Sequence, residues 1–284
     1  MIRKLLLTVF LVLLTGNLNA ETKTYKMVFV PASEKGDESD YKNLIAITEK
    51  LTGLNIDTIK VTDYNAAVEA MRAGRAHIAW YGGKTYVKAA EIANAEAFAA
   101  GVRPGEKDAG YYTYFVVKKD SMLKEFKDVK GKILSLNTIG STSGDLIPQV
   151  ELSKINLSIK NKEHFQNVFY AGSHDACLLA VLNNQSDVCG MSSRNFEARL
   201  EDGTFKKEDV RIIHKSDRVP PPPLAYSTII PKEDREKIKK AVLDAHNHGE
   251  IGGYGGKMSH YMEVKDSDYN VLREVIELLN KNKS

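Results

Sequence analysis

Three short segments place hydroxyl, imidazole and phenol groups where the chain switches from extended to helical patterning. Gly140-Ser141-Thr142-Ser143-Gly144 sets three hydroxyls in a row between two glycines. A strand-like run precedes it and a helix-like run follows. Hydroxyls and the free N–H groups of a helix start are donors, and the helix end adds partial positive charge, so such a segment can hold an oxyanion. The flanking glycines let the backbone approach a ligand closely. Ala171-Gly172-Ser173-His174-Asp175 repeats the arrangement with an imidazole. Asp63-Tyr64 opens another helix with a phenol, and Tyr111 supplies one more at the start of a strand. Each has a plainer explanation. Ser and Thr cap ordinary helices, a lone histidine is most often a surface or core residue, and tyrosines pack on sheets.

A hydrolytic reading of the same residues is weaker. Ser143, His174 and Asp175 offer the side chains of a triad, yet adjacent His and Asp cannot easily lie along one hydrogen-bonded line. No G-x-S-x-G elbow, H-E-x-x-H pair or Walker loop occurs. Cys177 and Cys189 lack the histidine spacing of a metal site. A disulfide and two buried thiols are about equally compatible with them. No metal or other cofactor is expected.

The elements that must position these groups alternate between strand and helix. Tyr25–Val30, 55–61 and 76–80 read as strands. Between them, 41–51 has helical spacing, with Leu44, Ile47 and Leu51 on one face and Gly53 as a stop. Asp63 caps a helix over 64–73 that Gly74 closes, and another helix covers 84–92. The β-branched and aromatic run 111–118 reads as a strand crossing between two lobes. Strands at 132–136, 168–170 and 188–191 then alternate with helices from Ser143 onward and over 175–182. The stiff Val219-Pro220-Pro221-Pro222-Pro223 segment leads into 224–230, a candidate returning crossover. Helices at 232–245 and 269–279 close the chain. The five glycines between 249 and 256 suit turns. This alternation predicts α/β architecture with a largely parallel sheet. Ligands in such sheets bind at the carboxyl ends of strands, beside helix starts.

Composition fits this picture. With 284 residues, 43% hydrophobic and 27% charged, the chain has ample material for a core. The net charge of +3, with acids and bases interspersed, argues against nucleic acid as a partner. Arg3 and Lys4, the apolar run 5–14 and the small residues up to Ala20 read as a secretory signal cut near Ala20. The apolar run is about half of the roughly 20 residues a spanning helix needs. Export to the periplasm follows, where a disulfide is allowed.

Several segments together resemble the phosphonate-binding proteins of ABC transporters, over most of the mature chain. Asp63-Tyr64, Val68-Glu69-Ala70-Met71 and His77-Ile78-Ala79-Trp80-Tyr81-Gly82 are similar to that family's first lobe. Ser141-Thr142-Ser143-Gly144 looks like its phosphonyl-binding motif. Gly172-Ser173-His174-Asp175 and Ser186-Asp187-Val188 resemble its second lobe. The resemblance implies a two-lobed periplasmic-binding-protein fold of type II, with two crossover strands as hinge and the ligand cleft between the lobes. The expected division is lobe one over 21–112 and 226–284, and lobe two over 113–225. Carried across, Tyr64, Tyr111, Ser141, Thr142, Ser143 and His174 would hold the phosphonyl oxygens, and the partner would be an ABC permease serving a monomer. Family members that bind aminoethyl phosphonate hold its ammonium with two carboxylates, and those positions fall near Arg194 and Pro222 here, so that ligand is disfavoured. Arg194 would suit a second anionic group. Tyr41, Tyr81 and Tyr226 would wall the cleft, and aromatic walls can also take a quaternary ammonium. The expected function is capture of a phosphonate or small phosphate ester for import. The alternatives are the same fold serving a sensor or chemoreceptor, and an enzyme acting on a phosphate ester.

Overall fold

The computed structural model describes residues 22–33 and 37–281; the expected signal segment and its cut near Ala20 lie outside the described residues. β1 (Thr24–Phe29) alternates exposed and buried residues at its start and is wholly buried from Met27. α1 (Asp37–Thr52) buries Tyr41, Leu44 and Thr48, a stripe at helical spacing. Leu51, expected on that face, is 39% exposed, because the buried stripe runs one position round from the expected one. β2 (Asn55–Ile59) follows. α2 (Tyr64–Arg72) starts under Asp63, whose carboxylate accepts from the Ala66 N–H at 2.9 Å, and the chain turns away at Gly74 with φ +66°. β3 (Ile78–Trp80), α3 (Gly83–Ile92) and β4 (Ala95–Val102) complete this pass.

The next stretch builds a second sheet from β5 (Thr113–Lys118), β6 (Ile133–Leu136), α4 (Ile147–Lys154), β7 (Asn167–Tyr170), α5 (His174–Leu182), β8 (Val188–Ser192), α6 (Ser193–Glu201) and β9 (Val210–Lys215). The chain then re-enters the first sheet with β10 (Leu224–Ser227). It ends with α7 (Lys232–Asp244), a hairpin of β11 (Ile251–Gly253) and β12 (Gly256–Met258), β13 (His260–Glu263) and α8 (Asn270–Lys281).

The first sheet has the order β13-β4-β10-β3-β1-β2 and the second β7-β6-β8-β5-β9. Both are mixed rather than largely parallel. The pairings of β1 with β2 and β3, and of β6 with β7 and β8, are parallel, whereas those involving β4, β5, β9, β10 and β13 are antiparallel. The reversed strands are β10 and β13 in the first sheet and β5 in the second, whereas β4 and β9 run with the parallel strands and pair antiparallel because their neighbours are the reversed ones. β5 and β10 are the first strands after each crossing, so the chain enters each sheet anew from the opposite end. The crossing itself is narrow. Tyr111 and Val219 form an antiparallel bridge, each N–H donating to the other's carbonyl at 3.1 and 2.8 Å. The expected return at 224–230 is corrected accordingly: Leu224–Ser227 is an interior strand of the first sheet, and the crossing precedes it.

Each sheet has its own apolar core. Tyr25, Val28, Trp80, Phe98, Ile238 and Tyr269 belong to that of the first lobe. In the second, Phe115, Leu134 and Leu152 lie on one side, and Val116, Leu178 and Met191 on the other. Cys177 and Cys189 are joined as a disulfide that ties α5 to β8, which settles the choice between bridge and thiols. No helix among the described residues is long and apolar enough to cross a membrane.

Candidate oxyanion cradle between the lobes

Four helical starts meet where the two lobes touch. From the first lobe come the first residues of α2 and α3; from the second, a π-type turn over Thr142–Leu146 that leads into α4, and the start of α5. The turn is closed by the Leu146 N–H donating to the Ser141 carbonyl at 3.1 Å. Their proximity is direct. A Cβ on Gly82 would lie 3.1 Å from Thr142 Oγ1 and 3.6 Å from the Tyr64 ring, and one on Gly144 would lie 2.9 Å from the His174 ring. Helix starts carry unpaired N–H groups and partial positive charge, so their convergence favours an anion.

The structure brings together all six residues expected to hold an oxyanion. Tyr64, Tyr111, Ser141, Thr142, Ser143 and His174 are each only 1–3% exposed. Ser141 caps the turn, its Oγ accepting from the Gly144 N–H at 3.1 Å. Thr142 Oγ1 accepts from the Lys84 N–H of α3 across the lobes at 2.9 Å. Ser143 Oγ lies 3.5 Å from His174 Nε2. The Tyr111 hydroxyl is pushed up to about 12 by burial, with hydrogen bonds to Ser143 and Thr142 and the charge of Arg194 pulling it back. It therefore keeps its proton and can donate.

Burial drives the His174 imidazole down to about 3, so the ring is neutral. Its Nδ1 accepts from the Ser192 N–H at 3.3 Å, which leaves the proton on Nε2, facing Ser143. The donor is thus a neutral imidazole, not the imidazolium that an acid-dependent role would need. The same bond excludes a hydrolytic triad, because no carboxylate holds Nδ1. Asp175 instead faces Arg199 at 3.7 Å.

A consequence concerns stability. An unfolded histidine binds a proton below about pH 6.5, whereas folded His174 does so only near pH 3. Between these values the unfolded state holds the extra proton, so acidification removes stability by roughly 1.4 kcal/mol per pH unit from this group. Thermal melts between pH 7 and 4 should therefore fall less steeply for His174→Gln than for the native chain. Equal slopes would rule out a buried neutral ring.

Sequence reasoning missed several parts of the cradle. Asn137 is fully buried at the end of β6, and its amide donates to Ser141 Oγ at 3.3 Å and to the Tyr64 hydroxyl at 3.5 Å. The Lys84 backbone N–H was also missed, although Gly82-Gly83 before it signals close backbone approach. Lys84 Nζ pairs with buried Asp145, and Thr85 Oγ1 donates to the Gly140 carbonyl at 3.0 Å, so the lobes are latched beside the cradle. Arg103 adds ion pairs to Glu197 and Glu201 on α6 at 2.6 and 2.7 Å.

The four residues expected around a ligand's organic part separate into two pairs. Tyr41 and Arg194 line a small cavity with Trp80, Pro222, Tyr254 and Tyr261. Tyr81 and Tyr226 do not reach it. Tyr81 donates to the Ala67 carbonyl at 3.2 Å inside the first lobe, and Tyr226 stacks on Phe98 at 4.7 Å. Both are core side chains. Arg194 is buried and pairs with Glu106 at 2.9 Å.

The chain is similar to several known proteins. Residues 27–269 match the family model described as ABC transporter, phosphonate, periplasmic substrate-binding protein. The phosphonates-binding periplasmic protein of Escherichia coli is 30% identical over 196 residues, covering 67% of this chain and 56% of that one. The phosphate-import protein PhnD of Mycolicibacterium smegmatis is 25% identical over 280 residues, covering 92% and 87%. Among solved structures, PhnD1 of Prochlorococcus marinus in complex with methylphosphonate superposes with a TM-score of 0.75 at 20% identity, covering 91% of this chain and 99% of that one. A binding component of a Pseudomonas aeruginosa ABC phosphonate transporter gives 0.79 at 22% identity, with 92% and 87% covered. These neighbours carry the two-lobed fold expected from the sequence. The chain belongs to this family: it is a periplasmic substrate-binding protein of the phosphonate ABC-transporter type, not an enzyme.

Proposed function

We propose that the chain captures a phosphonate or small phosphate ester in the cradle and delivers it to an ABC permease. One observation carries this reading: hydroxyl, phenol and imidazole donors from both lobes meet at four helix starts, shut off from solvent. A buried tetrahedral oxyanion needs that many donors, because burying its charge unpaired is very costly. Lys84 and Arg194 are each paired with a carboxylate, and neither is among the six cradle residues, so recognition of the phosphoryl oxygens falls to neutral dipoles in fixed positions. The lobes comprise 21–112 with 226–284, and 113–225, give or take a few residues, and move about the Tyr111–Val219 bridge. The mature chain begins near Glu21 and works as a monomer.

Calorimetry with methylphosphonate, inorganic phosphate and sulfate, paired with small-angle scattering, tests this. A phosphorus oxyanion should bind more tightly than sulfate and reduce the radius of gyration. Tight binding with unchanged dimensions would contradict lobe closure, and no binding of either phosphorus compound would remove the function.

A further inference from the structure

The cavity beside the cradle holds an arginine with donors to spare. Arg194 is 1% exposed, and its Nη2 donates to Glu106 Oε2 at 2.9 Å and to the Ala109 carbonyl at 3.0 Å. Its Nε and Nη1 meet no acceptor among the described residues. Buried polar groups are almost always bonded, so an arginine left this way inside a cavity points to an acceptor that arrives from outside the chain. The walls offer no rival. Trp80 and Pro222 present apolar surface, the Tyr41 hydroxyl accepts from the Tyr254 N–H at 3.1 Å, the Tyr254 hydroxyl donates to Asn195 Oδ1, and the Tyr261 hydroxyl donates to the Gly252 carbonyl at 2.9 Å. No carboxylate is among the lining residues to receive an ammonium.

The cavity also adjoins the cradle. Tyr111, whose hydroxyl bonds Ser143 and Thr142, packs edge-on against Tyr254 at 6.4 Å. Tyr254 in turn lies 4.7 Å from Trp80. Free space in the cavity is about 10 Å³, the room of one water molecule, so a group entering it must be short.

We propose that this cavity is a second ligand subsite, in which Arg194 receives an oxygen acceptor at the end of a short organic tail on the phosphorus. The inference rests on the phosphonate reading of the cradle. It narrows the substrate class to phosphonates or phosphate esters ending in a carboxylate, carbonyl or hydroxyl, and excludes those ending in an ammonium. Glu106 offsets the guanidinium charge, so a neutral acceptor serves as well as an anionic one.

The experiment titrates the native chain with phosphonoacetate, 2-hydroxyethylphosphonate, ethylphosphonate and 2-aminoethylphosphonate. The two acceptor-bearing compounds should bind about tenfold or more tightly than ethylphosphonate, and 2-aminoethylphosphonate should bind most weakly. In Arg194→Met and Arg194→Lys the ratio between acceptor-bearing and ethyl compounds should collapse towards one for methionine and persist in part for lysine. Ethylphosphonate binding as tightly as the acceptor-bearing pair overturns the subsite while leaving the cradle intact. A ratio unmoved by Arg194→Met does the same, since a merely structural arginine would weaken all four alike. Binding of none of the four overturns both the subsite and the proposed function. The ranking in the native chain decides the matter even where a variant fails to fold.

Discussion

Replacing Ser141, Thr142 and Ser143 together by alanine is expected to lower phosphonate affinity by a thousandfold or more. Hydrogen bonds to a charged group contribute roughly 1.5–3 kcal/mol each, and about 1.4 kcal/mol is a factor of ten. Single changes should therefore cost about tenfold to a hundredfold. The three are neighbours in one turn, so their effects will not simply add. The single variants should also differ in kind. Ser141 caps the turn through the Gly144 N–H, so Ser141→Ala should also lower unfolding stability by about 1 kcal/mol. Thr142 has its partner in the other lobe, at the Lys84 N–H. Thr142→Val keeps the shape and leaves that N–H unpaired only when the lobes are shut. It should weaken ligand binding while leaving the melting temperature without ligand nearly unchanged. Calorimetric affinities and melts of the triple variant, Ser141→Ala and Thr142→Val separate the roles. Unchanged affinity in the triple variant would mean that the hydroxyls only cap a helix.

What made this turn legible in the sequence was local chemistry. The three hydroxyls between glycines, the Asp63 cap and the Gly74 stop are decided within a few residues of one another, and the structure has them as expected. The misses have long-range causes. β4 is built from Ala-Glu-Ala-Phe-Ala-Ala-Gly-Val, whose small residues have little intrinsic strand preference. It becomes a strand because β10 and β13 pair with it, and those lie more than a hundred residues away in sequence. Tyr41 and Tyr81 are the same residue type with the same apparent use, yet only Tyr41 lines the cavity. An arginine is ordinarily exposed. Arg194 is buried because Glu106, distant in sequence, meets it where the lobes join. The positions of such groups depend on how the lobes close, which no local pattern encodes.

Gly144→Ala should be still more damaging than any single hydroxyl loss, and for a steric reason. The added Cβ would lie 2.3 Å from Asn137 Cβ, 2.9 Å from His174 Cε1 and 3.1 Å from Ser141 Oγ. The first contact is with a carbon fixed to the backbone at the end of β6, so no rotamer change relieves it. Gly144 is thus needed for space: it lets the turn lie directly on β6, with the Asn137 N–H donating to the Gly144 carbonyl at 3.0 Å. To admit a methyl group, the turn must lift from the strand. Overpacking of this kind typically costs about 1–3 kcal/mol of stability. The larger effect falls on binding, because the turn carries Ser141, Thr142 and Ser143, while Asn137 and His174 stand on the other side of the collision. A displacement of roughly 1 Å in a preorganised site can cost on the order of a hundredfold, so affinity should fall by at least that factor while the protein stays folded. Circular dichroism melts and calorimetry on the one variant give both numbers. Native affinity in Gly144→Ala would show that the turn can shift without moving its donors. The cradle would then owe its strength to adaptation around the ligand, not to the fixed packing of β6, the turn and α5.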